Sequence, residues 1–188
     1  MLHPSLALRK RRCFFVRPRL RRLLVRVGIV AALAFCASLA DASELLSVNE
    51  PLPAKTQNKG AHAELRSAIA AHQGHPLVIS FWASWCDTCR EEMPALQRLS
   101  KRWNKRGLAV ITVAVADTPK QVKDTLEKLG VQLPVIHDPE QQLSRSWGVG
   151  FVPTTLILDA RRRIRLIGQG PVDWDDVAID RQIQPLFK

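Results

Sequence analysis

Residues 77–90 read LVISFWASWCDTCR and contain the pattern around which we expect the chain to fold. An apolar run precedes two cysteines that stand three positions apart, and an amphipathic run follows them. This order predicts a buried strand, a tight turn and the first turn of a helix. At a helix N-terminus, unpaired N–H groups and the macrodipole favour negative charge, so we expect the thiolate of Cys86 to be stabilised and reactive. Cys89, one helical turn later, is near enough to form a disulfide with it.

Positive charge is concentrated at the beginning of the chain. The 188 residues carry a formal net charge of +11, and residues 1–26 hold nine of the 28 lysines and arginines but no acidic residue. The rest of the chain holds 19 basic residues against 17 acidic ones and is therefore nearly neutral. This distribution argues against nucleic-acid binding by the domain.

We assign residues 1–42 to a signal peptide or a membrane anchor. The basic region is followed by Val27–Ala40, an uncharged and mostly apolar run of 14 residues, and then by the small-x-small pattern Ala40-Asp41-Ala42. This order is typical of a secretory signal. Because a spanning helix needs about 20 apolar residues, cleavage is favoured, and an uncleaved anchor with its basic end in the cytoplasm is the alternative. Lipidation at Cys36 is a third option. In each case we expect the domain outside the cytoplasm, where disulfides persist.

Only Cys86 and Cys89, of the four cysteines, lie beyond this segment. One pair cannot build a larger disulfide framework. A structural zinc site needs four ligands, and the sequence contains no second C-x-x-C motif. A pair of inert core cysteines is the remaining alternative to a redox pair.

Strands and helices alternate through the rest of the chain. We interpret residues 43–60 as a linker or edge segment and residues 61–188 as the domain. Continuous apolar runs predict buried strands of a parallel type, and periodic apolar positions predict helices. The predicted strands are 77–81, 108–116, 135–136, 154–159 and 164–167; the main predicted helices are 61–72, 87–105, 119–129 and one capped by Asp173. This order predicts an α/β fold with a central mixed sheet flanked by helices.

Three sequence elements resemble the TlpA/ResA-like thiol–disulfide oxidoreductases, a periplasmic and often membrane-tethered group of thioredoxin-fold proteins. The elements are FWASWCDTC at 81–89, REEMP at 90–94 and WGVGFVPTT at 147–155. The helix at 119–129, with the residues after it as far as Asp138, resembles the insertion that separates this group from plain thioredoxin. The resemblance covers about residues 45–188. It implies a thioredoxin fold with a TlpA-type insertion helix.

The resemblance also implies roles for the residues around the cysteines. Cys86 is expected to attack a partner disulfide, and Cys89 is expected to attack Cys86 and release the reduced partner. Glu92 matches the acidic residue of the group's own motif and should lie one turn after Cys89, roughly on the same helix face. We expect it to hold or accept the Cys89 proton. The alternative is an exposed helix acid like its neighbour Glu91.

A substrate-binding region is implied beside the cysteines. Pro153 matches the group's cis-proline, and this expectation rests on the resemblance, because only about 5–6% of X–Pro bonds are cis. The backbone of Val152 is then expected to pair with the substrate chain as an added strand. We include Thr154, the next residue of the P-T-T element, and Trp85, which flanks Cys86 and is expected to form an apolar rim for docking.

Two residues depart from the pattern of related proteins. Thr88 stands where the group usually has proline, and the dipeptide between the cysteines tunes the thiol pKa and the redox potential, so the direction of that tuning stays open. Ser80 stands where thioredoxin keeps a buried aspartate. Glu92 is therefore the candidate proton acceptor.

From these features we expect an exported, monomeric reductase of protein disulfides that takes electrons from a membrane thiol donor and needs no cofactor or metal. Partners typical of the group are apocytochrome c, with its C-x-x-C-H motif, and a copper-delivery protein for cytochrome oxidase. One alternative is a disulfide-forming oxidant, and another is a non-catalytic copper or thiol chaperone in which His137 joins the cysteines. A peroxidase is disfavoured, because the threonine and proline that normally precede a peroxidatic cysteine are missing. The arginines at 161–163 are interpreted as a solvated hairpin turn.

Overall fold

The computed structural model describes residues 45–53 and 59–188 of the chain. The segment that we assigned to a signal peptide or anchor, residues 1–42, lies outside the described residues. The strands are β1 (Leu46–Pro51), β2 (Leu77–Trp82), β3 (Ala109–Val115), β4 (Val135–Asp138), β5 (Thr154–Leu158) and β6 (Arg163–Gln169). The helices are α1 (Gly60–Ala71), α2 (Asp87–Trp103), α3 (Pro119–Leu129), α4 (Gln142–Ser146) and α5 (Val177–Ile183), with 3-10 turns at Asn104–Arg106 and Gln184–Phe187.

The six strands form one sheet in the order β1-β6-β5-β2-β3-β4. Strands β2, β3 and β4 run parallel, whereas β5 is antiparallel to β2, and β6 is antiparallel to both β5 and β1. The predicted α/β fold with a central mixed sheet is therefore confirmed. Within the segment that we interpreted as a linker or edge, residues 46–51 form β1 at one edge of this sheet.

Strand β2 lies at the centre of the fold and is buried at all six positions. Its alternate side chains enter two hydrophobic clusters, because successive residues of a strand point to opposite faces. Val78 and Trp82 join the cluster that contains residues of α2, α3 and α5, and Ile79 and Phe81 join the cluster that contains residues of α1 and α4. Covering on both faces explains why the sequence of this strand is a continuous apolar run.

Local signals set the ends of the helices. Thr118 caps α3 through a capping box with Gln121, and Pro119 occupies its first turn. Gly130 ends α3 in the left-handed conformation, at φ 63°, which glycine adopts without steric cost. The predicted cap of the last helix is wrong, because the Asp176 carboxylate accepts the Ala178 N–H at 2.8 Å. Asp173 instead accepts the N–H of Asp175 in the turn before the helix.

Among the described ranges, no helix combines the length and the apolar character needed to cross a membrane.

Candidate active site

Cys86 and Cys89 form a disulfide at the beginning of α2, with their Cα atoms 5.3 Å apart. Cys86 is the N-cap of α2, and the N–H of Cys89 points at its sulfur from 3.2 Å. Cys86 is 9% exposed, whereas Cys89 is fully buried. Only the sulfur of Cys86 is thus placed to meet a large partner, while the helix N-terminus favours the thiolate form of that same residue.

The turn that carries Cys86 is fixed by hydrogen bonds to Ser84. The buried carboxylate of Asp117 accepts the N–H and the hydroxyl of Ser84, and the Arg90 guanidinium donates to the Ser84 carbonyl at 2.8 Å. Arg90 also pairs with Asp87, across the outside of the C-x-x-C turn. Sequence reasoning missed the role of Asp117. The available signal was its position two residues after the end of β3, a strand that pairs with β2.

Thr88 lies between the two cysteines and faces the sulfur of Cys86. Its hydroxyl oxygen is 3.5 Å from Sγ. In the disulfide the sulfur carries no proton, so the hydroxyl is the donor of this contact. A proline, which the related group usually has at this position, would supply no such donor. The side chain is therefore placed to donate to the Cys86 thiolate after reduction.

Glu92 is buried in α2, one turn beyond Cys89, and is only 6% exposed. The interpretation as an exposed helix acid therefore applies to its neighbour Glu91 and not to Glu92. Burial raises the pKa of Glu92 to about 7, and this effect is partly offset by the Val172 N–H, which donates to the carboxylate at 3.0 Å. The indole of Trp174 also favours the charged form, although it makes no regular hydrogen bond. A carboxyl group with this pKa can both hold and release a proton near neutral pH.

The loop at 151–154 lies against the active-site turn. The Val152–Pro153 peptide bond is cis, and the carbonyl oxygen of Val152 lies 3.9 Å from Cys86 Sγ. The Thr154 hydroxyl donates to the Phe151 carbonyl at 2.8 Å, and the Gly170 N–H donates to the Pro153 carbonyl at 2.9 Å. These bonds fix the loop at the beginning of β5. Val152, Pro153 and Cys86 are thus brought together.

Two exposed aromatic side chains flank this region. Trp85 is 60% exposed and precedes Cys86, and Phe151 is 52% exposed and precedes Val152. Exposed apolar side chains mark a protein-binding surface where they form a contiguous patch. The sequence analysis names Trp85 as a docking residue and does not name Phe151. Trp82, in contrast, is fully buried.

His137 lies away from the cysteines. It is in β4 and lines a cavity of about 260 Å³ beside the beginning of α1, and the residues that line this cavity do not include Cys86 or Cys89. Across residues 45–53 and 59–188, no three His, Cys, Asp or Glu side chains form a group that could hold a metal ion.

Comparison with known proteins identifies a family. The model of the AhpC/TSA family matches residues 48–167. The thiol:disulfide interchange protein HelX of Rhodobacter capsulatus is 32% identical over 169 residues, which is 88% of this chain and 92% of HelX. The thiol-disulfide oxidoreductase ResA of Geobacillus thermodenitrificans is 28% identical over 109 residues, or 58% of this chain. This match spans 63% of that ResA, which is less than two thirds of its length.

The fold also matches solved structures. The structure of a thiol:disulfide interchange protein of the thioredoxin family from Chlorobium tepidum superimposes with a TM-score of 0.56 at 22% sequence identity. The match covers 79% of this chain and 99% of that protein. At this level of identity the likeness supports the fold alone.

Proposed function

The chain belongs to the AhpC/TSA family, and from this premise we propose that it is an exported thiol–disulfide oxidoreductase that reduces disulfides of protein partners. The observation that carries the proposal is the disulfide at the N-terminus of α2 between Cys86, which keeps 9% exposure, and the fully buried Cys89. The names of ResA and HelX, which describe thiol–disulfide chemistry, support it.

The proposed reaction begins with both cysteines reduced. The Cys86 thiolate attacks one sulfur of a partner disulfide and forms a mixed disulfide, and the other partner sulfur leaves as a thiolate that takes up a proton. Cys89 then loses its proton and attacks Cys86 Sγ. The Cys86–Cys89 disulfide forms, and the second partner sulfur leaves and is protonated. Two electrons and two protons pass from the dithiol to the partner.

Glu92 is proposed to serve the second step. Cys89 is fully buried, so its proton has no direct route to bulk water. Glu92 follows three residues later in the same helix, and side chains at this spacing are neighbours. With a pKa raised to about 7 by burial, its carboxylate can accept the proton when Cys89 becomes the attacking group.

The partner is proposed to dock on the loop at 151–154. The backbone of Val152 pairs with an extended segment of the partner beside Cys86, while Pro153 and Thr154 hold that backbone in place. Trp85 and Phe151 provide apolar contacts on either side. Tryptophan and phenylalanine are both enriched in protein interfaces relative to the rest of the surface.

Several features of the cellular setting are proposed from the sequence alone. The basic and apolar segment at residues 1–42 supports export to the periplasm, with or without an anchor. We also propose that the protein is a monomer and that it receives electrons from a membrane thiol donor. Its partner is proposed to be apocytochrome c or a copper-delivery protein.

One observation favours the opposite direction of electron flow, from the partner's thiols to the Cys86–Cys89 disulfide. The Thr88 hydroxyl lies 3.5 Å from Cys86 Sγ. A donor to the thiolate stabilises the reduced protein and makes the disulfide a stronger oxidant. A disulfide-forming oxidant is therefore the second candidate.

Two measurements test the proposal. Cys89→Ser should accumulate a mixed disulfide with an oxidised protein substrate, and Cys86→Ser should not, because it lacks the attacking sulfur. The equilibrium potential of the pair in thiol buffers then gives the direction. A value near about −270 mV, as in thioredoxin, supports the reductase, and a value near about −120 mV, as in DsbA, supports the oxidant. If the pair cannot be cycled between dithiol and disulfide, the oxidoreductase proposal is wrong.

A further inference from the structure

The segment between β6 and α5 is held against α2 at the position of Glu92. The backbone N–H of Val172, in this segment, donates to the Glu92 carboxylate at 3.0 Å. Two residues later, the carbonyl of Trp174 accepts a hydrogen bond from the Arg102 guanidinium of α2 at 2.8 Å. One bond thus holds the segment at Glu92 and the other holds it at Trp174 itself. The backbone therefore fixes where Trp174 lies relative to Glu92.

Trp174 carries a buried hydrogen-bond donor without a partner. The side chain is fully buried, in the hydrophobic cluster that also contains Cys89. Its indole N–H has no acceptor within hydrogen-bond distance in the part of the chain that the structure describes. Such a donor costs free energy and calls for an explanation. The indole N–H groups of Trp82 and Trp147 are also buried without an acceptor. Trp174 differs from them in the carboxyl group on which it acts.

The Glu92 carboxyl group has few donors around it for a buried acid. Burial raises its pKa to about 7, and the Val172 N–H and the Trp174 side chain lower it. Among residues 45–53 and 59–188, no charged side chain contributes to this pKa. A carboxylate can accept about four hydrogen bonds, and burying it with fewer is costly. The Trp174 indole is therefore the side chain that adds to Val172 in stabilising the charged form.

We propose that Trp174 is a positioning residue, which donates its indole N–H to the charged Glu92 carboxylate and so keeps this group ready to take the proton of Cys89. The inference rests on the role given to Glu92 under the proposed function. When Cys89 attacks Cys86 Sγ, its proton passes to the carboxylate, and the negative charge on Glu92 is lost. The hydrogen bond from Trp174 then weakens, because a charged acceptor binds an N–H about twice as strongly as a neutral one. Trp174 thus acts on the second step through Glu92.

The first test is a titration of the full, oxidised chain labelled with ¹⁵N and ¹³C, with signals identified by through-bond assignment. The indole N–H signal of Trp174 should move with pH. Its midpoint should equal that of the Glu92 carboxyl carbon, near pH 7, because the same proton governs both. The indole signal of Trp82 should not follow this titration. The measurement needs no variant, so it decides the pair even where a substituted chain fails to fold.

Matched variants separate the indole donor from the bulk of the ring. Trp174→Phe keeps an aromatic side chain but removes the donor, so the pKa of Glu92 should rise by about one unit. Water entering the space left by the smaller ring would have the opposite effect, because solvation lowers the pKa of Glu92 towards 4.5. Trp82→Phe is the control, since it removes an equally buried and unpartnered indole from the same cluster. It should change the pKa of Glu92 by less than about 0.3.

The pH profile of the second step tests the consequence for the reaction. Reduced protein is mixed with an oxidised protein substrate, and acid quenching follows the decay of the mixed disulfide. Glu92 accepts the proton only as a carboxylate, so Trp174→Phe should slow this decay about tenfold below about pH 6 and less than about twofold at about pH 9. A variant that only loosens the packing would slow the decay by the same factor at every pH.

Three results of the titrations would overturn the inference. They are an indole signal of Trp174 that does not titrate with Glu92, a pKa of Glu92 that is unchanged or lower in Trp174→Phe, and an equal rise of this pKa in Trp82→Phe. The titrations use the oxidised protein without a partner, so their outcome does not depend on disulfide exchange. If they succeed but the pH profile of the second step does not move, Glu92 does not take the Cys89 proton. That part of the proposed function is then wrong, and the positioning role of Trp174 is wrong with it.

Discussion

Asp117 and Ser84 are joined by two hydrogen bonds of 2.6 Å, in which the backbone N–H and the hydroxyl of Ser84 each donate to one oxygen of the Asp117 carboxylate. Asp117 follows β3 and is 1% exposed, and Ser84 stands two residues before Cys86. Arg90 donates to the carbonyl of the same serine. All three polar groups of Ser84 are thus engaged, and the active-site turn is tied to the neighbouring strand.

Replacing Asp117 by alanine should destabilise the oxidised protein by about 2 kcal/mol, because it leaves the Ser84 N–H without its acceptor. Ser84→Ala should cost less, about 1 kcal/mol, because the backbone bond remains. Urea unfolding measures both. Asp124→Ala is the control, since Asp124 pairs with Lys120 on the exposed face of α3 and should cost less than about 0.5 kcal/mol. If Asp117→Ala and Asp124→Ala lower the free energy of unfolding equally, the hydrogen bonds between Asp117 and Ser84 do not stabilise the folded protein.

Replacing Thr88 by valine should raise the pKa of the Cys86 thiol by about one unit, because a hydrogen bond to a charged group contributes about 1.5 kcal/mol. The reduced protein is then less stable, so the potential of the pair should fall by about 30 mV. The pH dependence of alkylation gives the pKa, and equilibration with thiol buffers gives the potential. Thr88→Ser retains the hydroxyl and should leave both values close to those of the native chain. An unchanged thiol pKa in Thr88→Val would show that the hydroxyl does not bind the thiolate.

The sequence was sufficient to predict the fold because its strongest signals are local. A continuous apolar run, a capping residue followed by proline, and a glycine after the last helical turn each depend on neighbours in the chain. The cap of α5 was misplaced because Asp173 and Asp176 are both plausible caps in a sequence rich in aspartate. Only the path of the chain after β6 selects Asp176.

The sequence also predicts the part of the site whose residues are close together in the chain. Cys86, Cys89 and Glu92 lie within one short stretch, so their relation follows from helix geometry. The Asp117–Ser84 pair and the approach of Val152 to Cys86 join residues 33 and 66 positions apart. Nothing in the residues alone gives such distances. Arg162 was interpreted as solvated because a charged residue in a hairpin turn usually is. Two of its guanidinium nitrogens, Nε and Nη2, are instead buried, and Nη1 donates to the His75 carbonyl, 87 positions away in the chain.

Replacing Glu92 by glutamine should stabilise the oxidised protein at high pH. The pKa of Glu92 is about 7 in the folded protein, against 4.5 for the ordinary group. The protonated carboxyl group therefore contributes fully to the free energy of unfolding below pH 4.5, and this contribution is lost as the pH rises through 7. The stability of Glu92→Gln relative to the native chain should therefore rise by about 3 kcal/mol across this window and then stay level.

Urea unfolding at several pH values between 4 and 8.5 measures this difference for Glu92→Gln, with the disulfide intact so that the cysteines do not titrate. Glu91→Gln is the matched control, because Glu91 is the exposed neighbour in the same helix. The difference in the free energy of unfolding between Glu91→Gln and the native chain should be nearly independent of pH. If the difference in the free energy of unfolding is independent of pH for Glu92→Gln as well, the Glu92 carboxyl group has an ordinary pKa in the folded protein.

Replacing Trp85 and Phe151 by alanine should separate docking from chemistry. Both side chains are more than half exposed beside Cys86, so their loss should lower kcat/KM for an oxidised protein substrate by about tenfold. The reaction of the reduced enzyme with a small aromatic disulfide should change by less than about twofold, since such a substrate is too small to span the surface. Val177→Ala, at a 58% exposed apolar residue of α5, is the control. If both substrates lose rate equally, the two aromatic residues act on the cysteines, and the partner binds elsewhere.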